Sequence, residues 1–146
     1  MPDEWEKGKQ GVYFAFFLLF ALPGISCIYY GDEVGLDGFR DPYCRKGYPY
    51  GREDFKVFEF IKELSQLKRK YPDSYKELIK DVTIQNKALC FMRGDLLFCI
   101  NVGENDENIK IDGEFVTILG RNTPEIVNEI LTIPKKSYSI FLRKTR

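Results

Sequence analysis

Histidine is absent from the 146 residues. That gap removes the His-based nucleophilic triads and the imidazole zinc sites. An excess of charge is missing as well: Lys plus Arg and Asp plus Glu number 22 each, so the chain lacks a basic footprint and no nucleic-acid partner is expected. Cysteine is sparse and unclustered. The four cysteines lie at 27, 44, 90 and 99, with no C-x-x-C spacing. Cys27 and Cys99 sit inside apolar strand-like runs, which predicts buried free thiols and a reducing, cytoplasmic location. A Cys27–Cys44 disulfide stays open, because connectivity does not follow from sequence. The apolar run from Val12 to Leu22 is shorter than the ~20 residues that span a bilayer, so no membrane partner is expected. A signal peptide is disfavoured by the acidic residues Asp3, Glu4 and Glu6 ahead of that run. No cofactor and no metal site is expected.

What is present is a large apolar fraction, 44%, enough for one domain or a domain with an appendage. Residues 1–10 are charged and polar and read as the approach to a helix. Residues 11–22 read as a helix apolar on nearly all sides, stopped by Pro23-Gly24. Residues 25–30, Ile-Ser-Cys-Ile-Tyr-Tyr, are apolar almost throughout and lie between breakers, which predicts a buried strand of the parallel type. A long Gly- and Pro-rich loop follows at 31–52, with Phe39, Tyr43, Tyr48 and Tyr50 in it. Loops of that length are often functional. Residues 53–71 form an amphipathic helix, with Glu53 and Asp54 at its start, Lys68, Arg69 and Lys70 at its end, and Pro72 closing it.

The character then changes. After a short helical turn at 74–79, strand-like runs come at 81–85, 88–93, 96–101, 109–111, 114–119, 129–133 and 137–143. Polar turns separate them, and Gly94-Asp95 and Asp112-Gly113 carry hairpin signals, the second the stronger. Closely spaced strands of this kind predict an antiparallel sandwich.

One stretch is unusual in chemistry. Cys27-Ile28-Tyr29-Tyr30-Gly31-Asp32-Glu33-Val34-Gly35-Leu36 ends a buried run in Gly and two carboxylates, and Asp41-Pro42-Tyr43-Cys44-Arg45 presents an Asp and an Arg four apart. Strand ends that deliver polar groups to a sheet's open side are where ligands bind. With Leu22-Pro23-Gly24 before it and Leu67-Lys68-Arg69-Lys70-Tyr71-Pro72 after it, this order resembles the end of the catalytic barrel of the α-amylase superfamily, glycoside hydrolase family 13. The Asp-Pro-x-Cys-Arg stretch is most similar to the neopullulanase, cyclomaltodextrinase and maltogenic amylase branch. The implied fold is mixed α and β: residues 1–72 as the last strand and flanking helices of a (β/α)8 barrel, and residues 73–146 as the antiparallel β-sandwich C-terminal domain. A complete barrel takes ~250 residues, so the resemblance implies that most of it, including the three catalytic carboxylates and an Asn-His-Asp motif, is not in this chain.

The resemblance implies an α-glucan oligosaccharide as the partner of the complete enzyme and a retaining mechanism, with no catalytic residue here. It implies sugar contacts at Asp41 and Arg45, and a place lining or bracing the sugar site for Asp32 and Glu33. The plainer readings are an exposed Asp41–Arg45 salt bridge and loop carboxylates at 32 and 33 held by backbone N–H groups. Asp32 and Glu33 diverge on an extended chain and cannot form the facing carboxylate pair, ~5–5.5 Å apart, of a retaining glycosidase. Tyr48 and Tyr50 read either as sugar-stacking rings or as packed loop aromatics. The acidic stretch from Glu104 to Glu107 lacks a calcium-loop pattern and reads as a solvated turn. A non-catalytic structural or carbohydrate-binding module is the alternative, weakened because Tyr138 and Phe141 fall on opposite faces of a strand. An isolated barrel end exposes apolar faces, so self-association is expected.

Overall fold

The structure is a computed structural model that describes residues 2–38, 40–122 and 124–144, with side chains from Gly8 onward. It divides into two compact units, one of residues 1–23 with 71–146 and one of residues 24–70. Among the described residues the elements are α1 (Pro2–Ala21), a single 3-10 turn (Asp32–Val34), α2 (Phe55–Lys70), α3 (Pro72–Lys76) and strands β1 (Lys80–Gln85), β2 (Ala88–Arg93), β3 (Leu96–Asn101), β4 (Glu107–Lys110), β5 (Phe115–Arg121), β6 (Glu125–Val127), β7 (Ile130–Ile133) and β8 (Ser137–Arg143).

The larger unit is built on two antiparallel sheets, one of five strands in the order β1-β2-β3-β8-β5 and one of three in the order β4-β7-β6. Three strands of the first sheet, β2, β3 and β8, are covered on both faces and bury almost every residue instead of alternating. One face meets the second sheet: Cys90, Met92, Leu97, Cys99 and Phe141 join Ile109, Ile111, Leu131 and Ile133 in one core. The other face takes α1. Phe17 sets its ring 5.3 Å from that of Tyr138 and 6.3 Å from that of Phe98, while Phe14 meets Tyr138 edge-on at 6.3 Å. Tyr75 of α3 adds an edge-on contact to Phe98 at 5.7 Å. Tyr138 and Phe141 do lie on opposite faces, and both are buried.

Two-residue turns set the register. β2 and β3 close at Arg93↔Leu96 around Gly94-Asp95. Gly94 takes φ 54, and its missing Cβ matters twice, since one would stand 2.7 Å from the Ser74 Cα. Ser74 Oγ in turn accepts from the Asp95 N–H at 3.2 Å, so α3 caps the hairpin. The β6–β7 turn puts both Asn128 and Glu129 at positive φ, the twist that a tight hairpin needs. Polar struts join the sheets. The Asn101 amide donates to the carbonyls of Asn105 and Ile133 and accepts from the Gly103 N–H. The Glu107 carboxylate accepts from the side-chain amides of Gln85 and Asn86.

Several expectations change. α1 begins at Pro2 rather than near residue 11. It groups with the sheets, whereas residues 24–70 stand as their own unit. Asp112-Gly113 is not a hairpin: it carries the chain from β4 in one sheet to β5 in the other. The strand expected at 25–30 does not form, and Ile25 is 97% exposed. A parallel strand must hydrogen-bond through its edges, and among the described residues of 24–70 there is no strand to pair with it. Cys27 is therefore exposed and not buried; Cys44 is half-buried, Cys90 and Cys99 are buried, and all four are free. Glu107, at the end of the acidic stretch, is buried rather than solvated. Phe39 lies outside the described residues.

Arg93, 2% exposed at the end of β2, ties this unit together. Its guanidinium donates to the Ala21 carbonyl at 2.7 Å, to the Glu77 carbonyl at 3.2 Å and to the Tyr75 carbonyl, and it lies over the Tyr75 ring at 5.2 Å. Burial pulls its pKa down, and the same burial pushes the Tyr75 phenol up to about 12. Arg93→Ala is expected to lower stability by about 2–4 kcal/mol, because it leaves buried carbonyls without donors. Chemical denaturation would show a lower midpoint at unchanged slope, and Arg93→Lys would recover only part of the loss.

Candidate functional site

The unusual stretch falls in the 24–70 unit. After residues 25–29, which form no helix or strand, the chain tightens into the Asp32–Val34 turn, flanked by Gly31 at φ 89 and Gly35 at φ 71. Gly31 is required there: besides the positive φ, a Cβ would stand 2.5 Å from the Leu36 side chain. The Gly31 carbonyl accepts from the N–H groups of Val34 and Leu36, and the Val34 carbonyl accepts from the Asp54 N–H at 2.9 Å. That last bond anchors the acidic turn to the start of α2. Asp54 also caps α2, accepting from the Lys56 N–H at 3.1 Å. α2 then buries Val57, Phe60, Ile61, Leu64 and Leu67, the stripe that its periodicity predicts.

Asp32 is exposed and Glu33 half-buried on successive positions of the turn. Burial, and then the neighbouring Glu33, raise the Asp32 carboxyl above its ordinary range. One oxygen of Glu33, Oε2, is buried with no hydrogen-bond partner. Asp41 and Arg45 do meet, Nε to Oδ1 at 3.0 Å, across side chains 62% and 72% exposed. A pair so open to solvent contributes about 0–1 kcal/mol. Among the described residues, no hydrogen bond or ion pair joins Asp32 or Glu33 to Asp41 or Arg45, so the four candidates form two separate groups. The Tyr48 and Tyr50 rings lie 4.8 Å apart and tilted, Tyr48 half-buried and Tyr50 82% exposed.

Four contacts were not evident from sequence. Tyr30 donates its hydroxyl to the Lys46 carbonyl at 2.8 Å, and Lys46 Nζ pairs with Asp37 at 3.0 Å. These fold the 31–52 loop back on the tyrosine pair Tyr29–Tyr30, whose rings are 4.6 Å apart. Lys68 of α2 donates to the Gly24 carbonyl and the Ser26 hydroxyl, both at 3.1 Å. An isolated lysine in a sequence carries no sign of which carbonyl it will reach. The acidic stretch of the other unit is likewise engaged internally: Glu104 pairs with Lys136 at 2.8 Å, and Asp106 accepts from the Lys135 N–H.

No protein-family model matches the chain. Curated relatives do. The amylopullulanase of Thermoanaerobacterium thermosulfurigenes is 38% identical over 63 residues, 43% of this chain and 3% of that protein. A cyclomaltodextrinase from a Bacillus species is 32% identical over 91 residues, 60% of this chain and 16% of that protein. Among solved structures, the debranching enzyme of Nostoc punctiforme superposes at a TM-score of 0.79 with 28% identity, over 91% of this chain and 31% of that one. Part of this chain is homologous to α-amylase-family glycoside hydrolases. It is a fragment beside them, spanning from 3% to 16% of those curated relatives' own length. The sandwich is of the type that forms the C-terminal domain of α-amylases. No helix among the described residues is long and apolar enough to cross a membrane.

Two aspartates of the 31–52 loop, Asp32 and Asp37, titrate in opposite senses. The Lys46 ammonium holds the Asp37 carboxyl below the ordinary 3.8, so Asp37 adds stability above that value, lost as pH falls through its folded pKa. Asp32, raised above 3.8, favours the folded state at low pH, and that contribution is lost as pH rises through its folded pKa. Carboxyl-carbon NMR titration of the two residues is expected to give midpoints on opposite sides of the ordinary value. At neutral pH, Asp37→Asn is expected to lower the melting midpoint and Asp32→Asn to raise it.

Proposed function

We propose that this chain is the C-terminal part of an α-amylase-family glycoside hydrolase that acts on α-glucans such as malto-oligosaccharides, cyclodextrins or pullulan by a retaining mechanism, and that the catalytic carboxylates lie outside it. Residues 1–72 are then the end of the catalytic barrel and residues 73–146 the C-terminal β-sandwich. The observation that carries this reading is the separation of the carboxylates. A retaining glycosidase holds two carboxyl groups ~5–5.5 Å apart across the scissile bond. The candidates here are one pair of chain neighbours, Asp32 and Glu33, and one aspartate, Asp41, already paired with Arg45.

In the complete enzyme, Asp41 and Arg45 would grip vicinal sugar hydroxyls, the carboxylate accepting and the planar guanidinium donating. Their exposure leaves both side chains able to exchange one another for a sugar. The unpartnered Glu33 oxygen supports a bracing role at the mouth of the site, where a donor would satisfy it. For the sandwich, the burial of both Tyr138 and Phe141 favours a structural role over sugar binding, since sugar binding needs exposed rings. The exposed apolar residues Ile25, Tyr29 and Phe55 support self-association or pairing with a chain that supplies the missing strands. A reducing, cytoplasmic setting belongs to the same proposal, and the exposed free thiol of Cys27 suits it.

Purified chain incubated with pullulan, β-cyclodextrin and maltoheptaose is expected to release no reducing sugar. Hydrolysis that is abolished by Asp32→Ala or Glu33→Ala would show that the acidic turn is a catalytic centre in itself and would overturn the proposal.

A further inference from the structure

Cys90 and Cys99 stand directly opposite each other on β2 and β3. Counting outward from the two-residue turn fixes what kind of pair this is. The closing pair of such a turn, Arg93 and Leu96, exchanges backbone hydrogen bonds, and pairs alternate from there. Met92–Leu97 is therefore a non-hydrogen-bonded pair, Phe91–Phe98 hydrogen-bonded, and Cys90–Cys99 non-hydrogen-bonded. Non-hydrogen-bonded pairs bring opposing side chains closest together. Both thiols point into the core between the two sheets, at 2% and 0% exposure. Their sulphurs are 2.7 Å apart, well inside the ~3.5–4.0 Å at which unbonded carbon atoms rest.

We propose that Cys90 and Cys99 are a built-in site for a cross-strand disulfide that locks the β2–β3 hairpin when the chain folds under oxidising conditions. The co-reactant is a small-molecule disulfide, RS–SR. The thiolate of one cysteine attacks it, forming a mixed disulfide and expelling RS⁻. The second cysteine's thiolate then attacks the protein sulphur of that mixed disulfide, forming the Cys90–Cys99 bond and expelling a second RS⁻. The two protein thiols are oxidised by two electrons, the small disulfide is reduced to two RSH, and the two thiol protons end on those products.

Burial makes the site depend on history. The folded hairpin gives an oxidant no path to either sulphur, and burial with the neighbouring Cys90 holds the Cys99 thiol well above its ordinary range, short of reactive thiolate. Oxidation therefore occurs while the hairpin is open, and the folded sheet then shields the finished bond from reductant in the same way. The exposed Cys27 and half-buried Cys44 have no such protection and follow the surrounding redox poise continuously.

The test uses the full chain carrying Cys27→Ser and Cys44→Ser, two replacements outside the sheet core. Protein unfolded in guanidine is refolded with oxidised glutathione or with a reductant, then unfolded, alkylated and weighed intact. The oxidatively refolded monomer is expected to take up no alkyl groups, to weigh less than the fully reduced chain by two hydrogen atoms, and to keep the native β-sheet circular dichroism. The same oxidant added to folded, reduced protein for the same time is expected to leave both thiols open to alkylation after unfolding. Two alkylations after oxidative refolding, linkage only between chains, or an intramolecular bond with loss of the sheet signal would each overturn the proposal.

Discussion

A full positive charge is buried at the end of β2, where α1 and α3 meet the sheet, and the packing there is arranged around it. Taking a guanidinium out of water is costly unless hydrogen bonds replace its hydration. Arg93 meets that demand with three backbone carbonyls, from Ala21 at the end of α1 and from Tyr75 and Glu77 at and beyond α3. These carbonyls are groups that helix ends leave without intrahelical donors, and the C-terminal end of a helix favours a cation. One side chain thus satisfies three orphan acceptors and brings together the end of β2, α3 and a helix some seventy residues earlier in the chain. With α1 fixed there, Phe14 and Phe17 cover the outer face of β3 and β8. The central strands can then bury residues on both faces.

The two units differ in what holds them. The sheet unit has a continuous apolar core and polar struts from Asn101 and Glu107 between its sheets. The 24–70 unit is organised by backbone contacts around the acidic turn, by the Asp54 cap and by the Lys46 and Lys68 ammonium groups. It also holds Asp32, Glu33, Asp41 and Arg45, the residues proposed to face the sugar. Exposed carboxylates and an exposed Asp41–Arg45 pair suit recognition of a polar ligand. The proton transfers of glycoside cleavage need carboxyl groups facing one another across the bond.

Much of the sheet unit was legible in the sequence because tight turns write themselves into residue choice. Gly94-Asp95 and Asn86-Lys87 end strands where turn chemistry says they should. Asp112-Gly113 was misread for a related reason: a turn residue fixes local φ, here 106 at Gly113, but not the sheet that the next strand joins. β6 went unseen because three residues, Glu125-Ile126-Val127, are too few to show alternation. The first half of α1 was missed because its polar residues carry no apolar stripe. The 25–30 run read as a strand from its side chains alone; a strand also needs hydrogen-bonding neighbours, and a run's own composition cannot reveal them. At the site, Asp32, Glu33, Asp41 and Arg45 could be picked out by type and spacing, whereas the tether from Tyr30 to Lys46 left no mark in either residue's surroundings.

The central claim is that α1 is part of the sheet core through Arg93 and does not fold separately from it. Native-state hydrogen exchange measures this directly. The account predicts that amides in the last turns of α1, from Phe16 to Ala21, exchange with the same free energy as those of β2, β3 and β8, and that all of them follow global unfolding. If the α1 amides exchange at much lower free energy while the strands stay protected, the helix is an independent appendage and the account is contradicted.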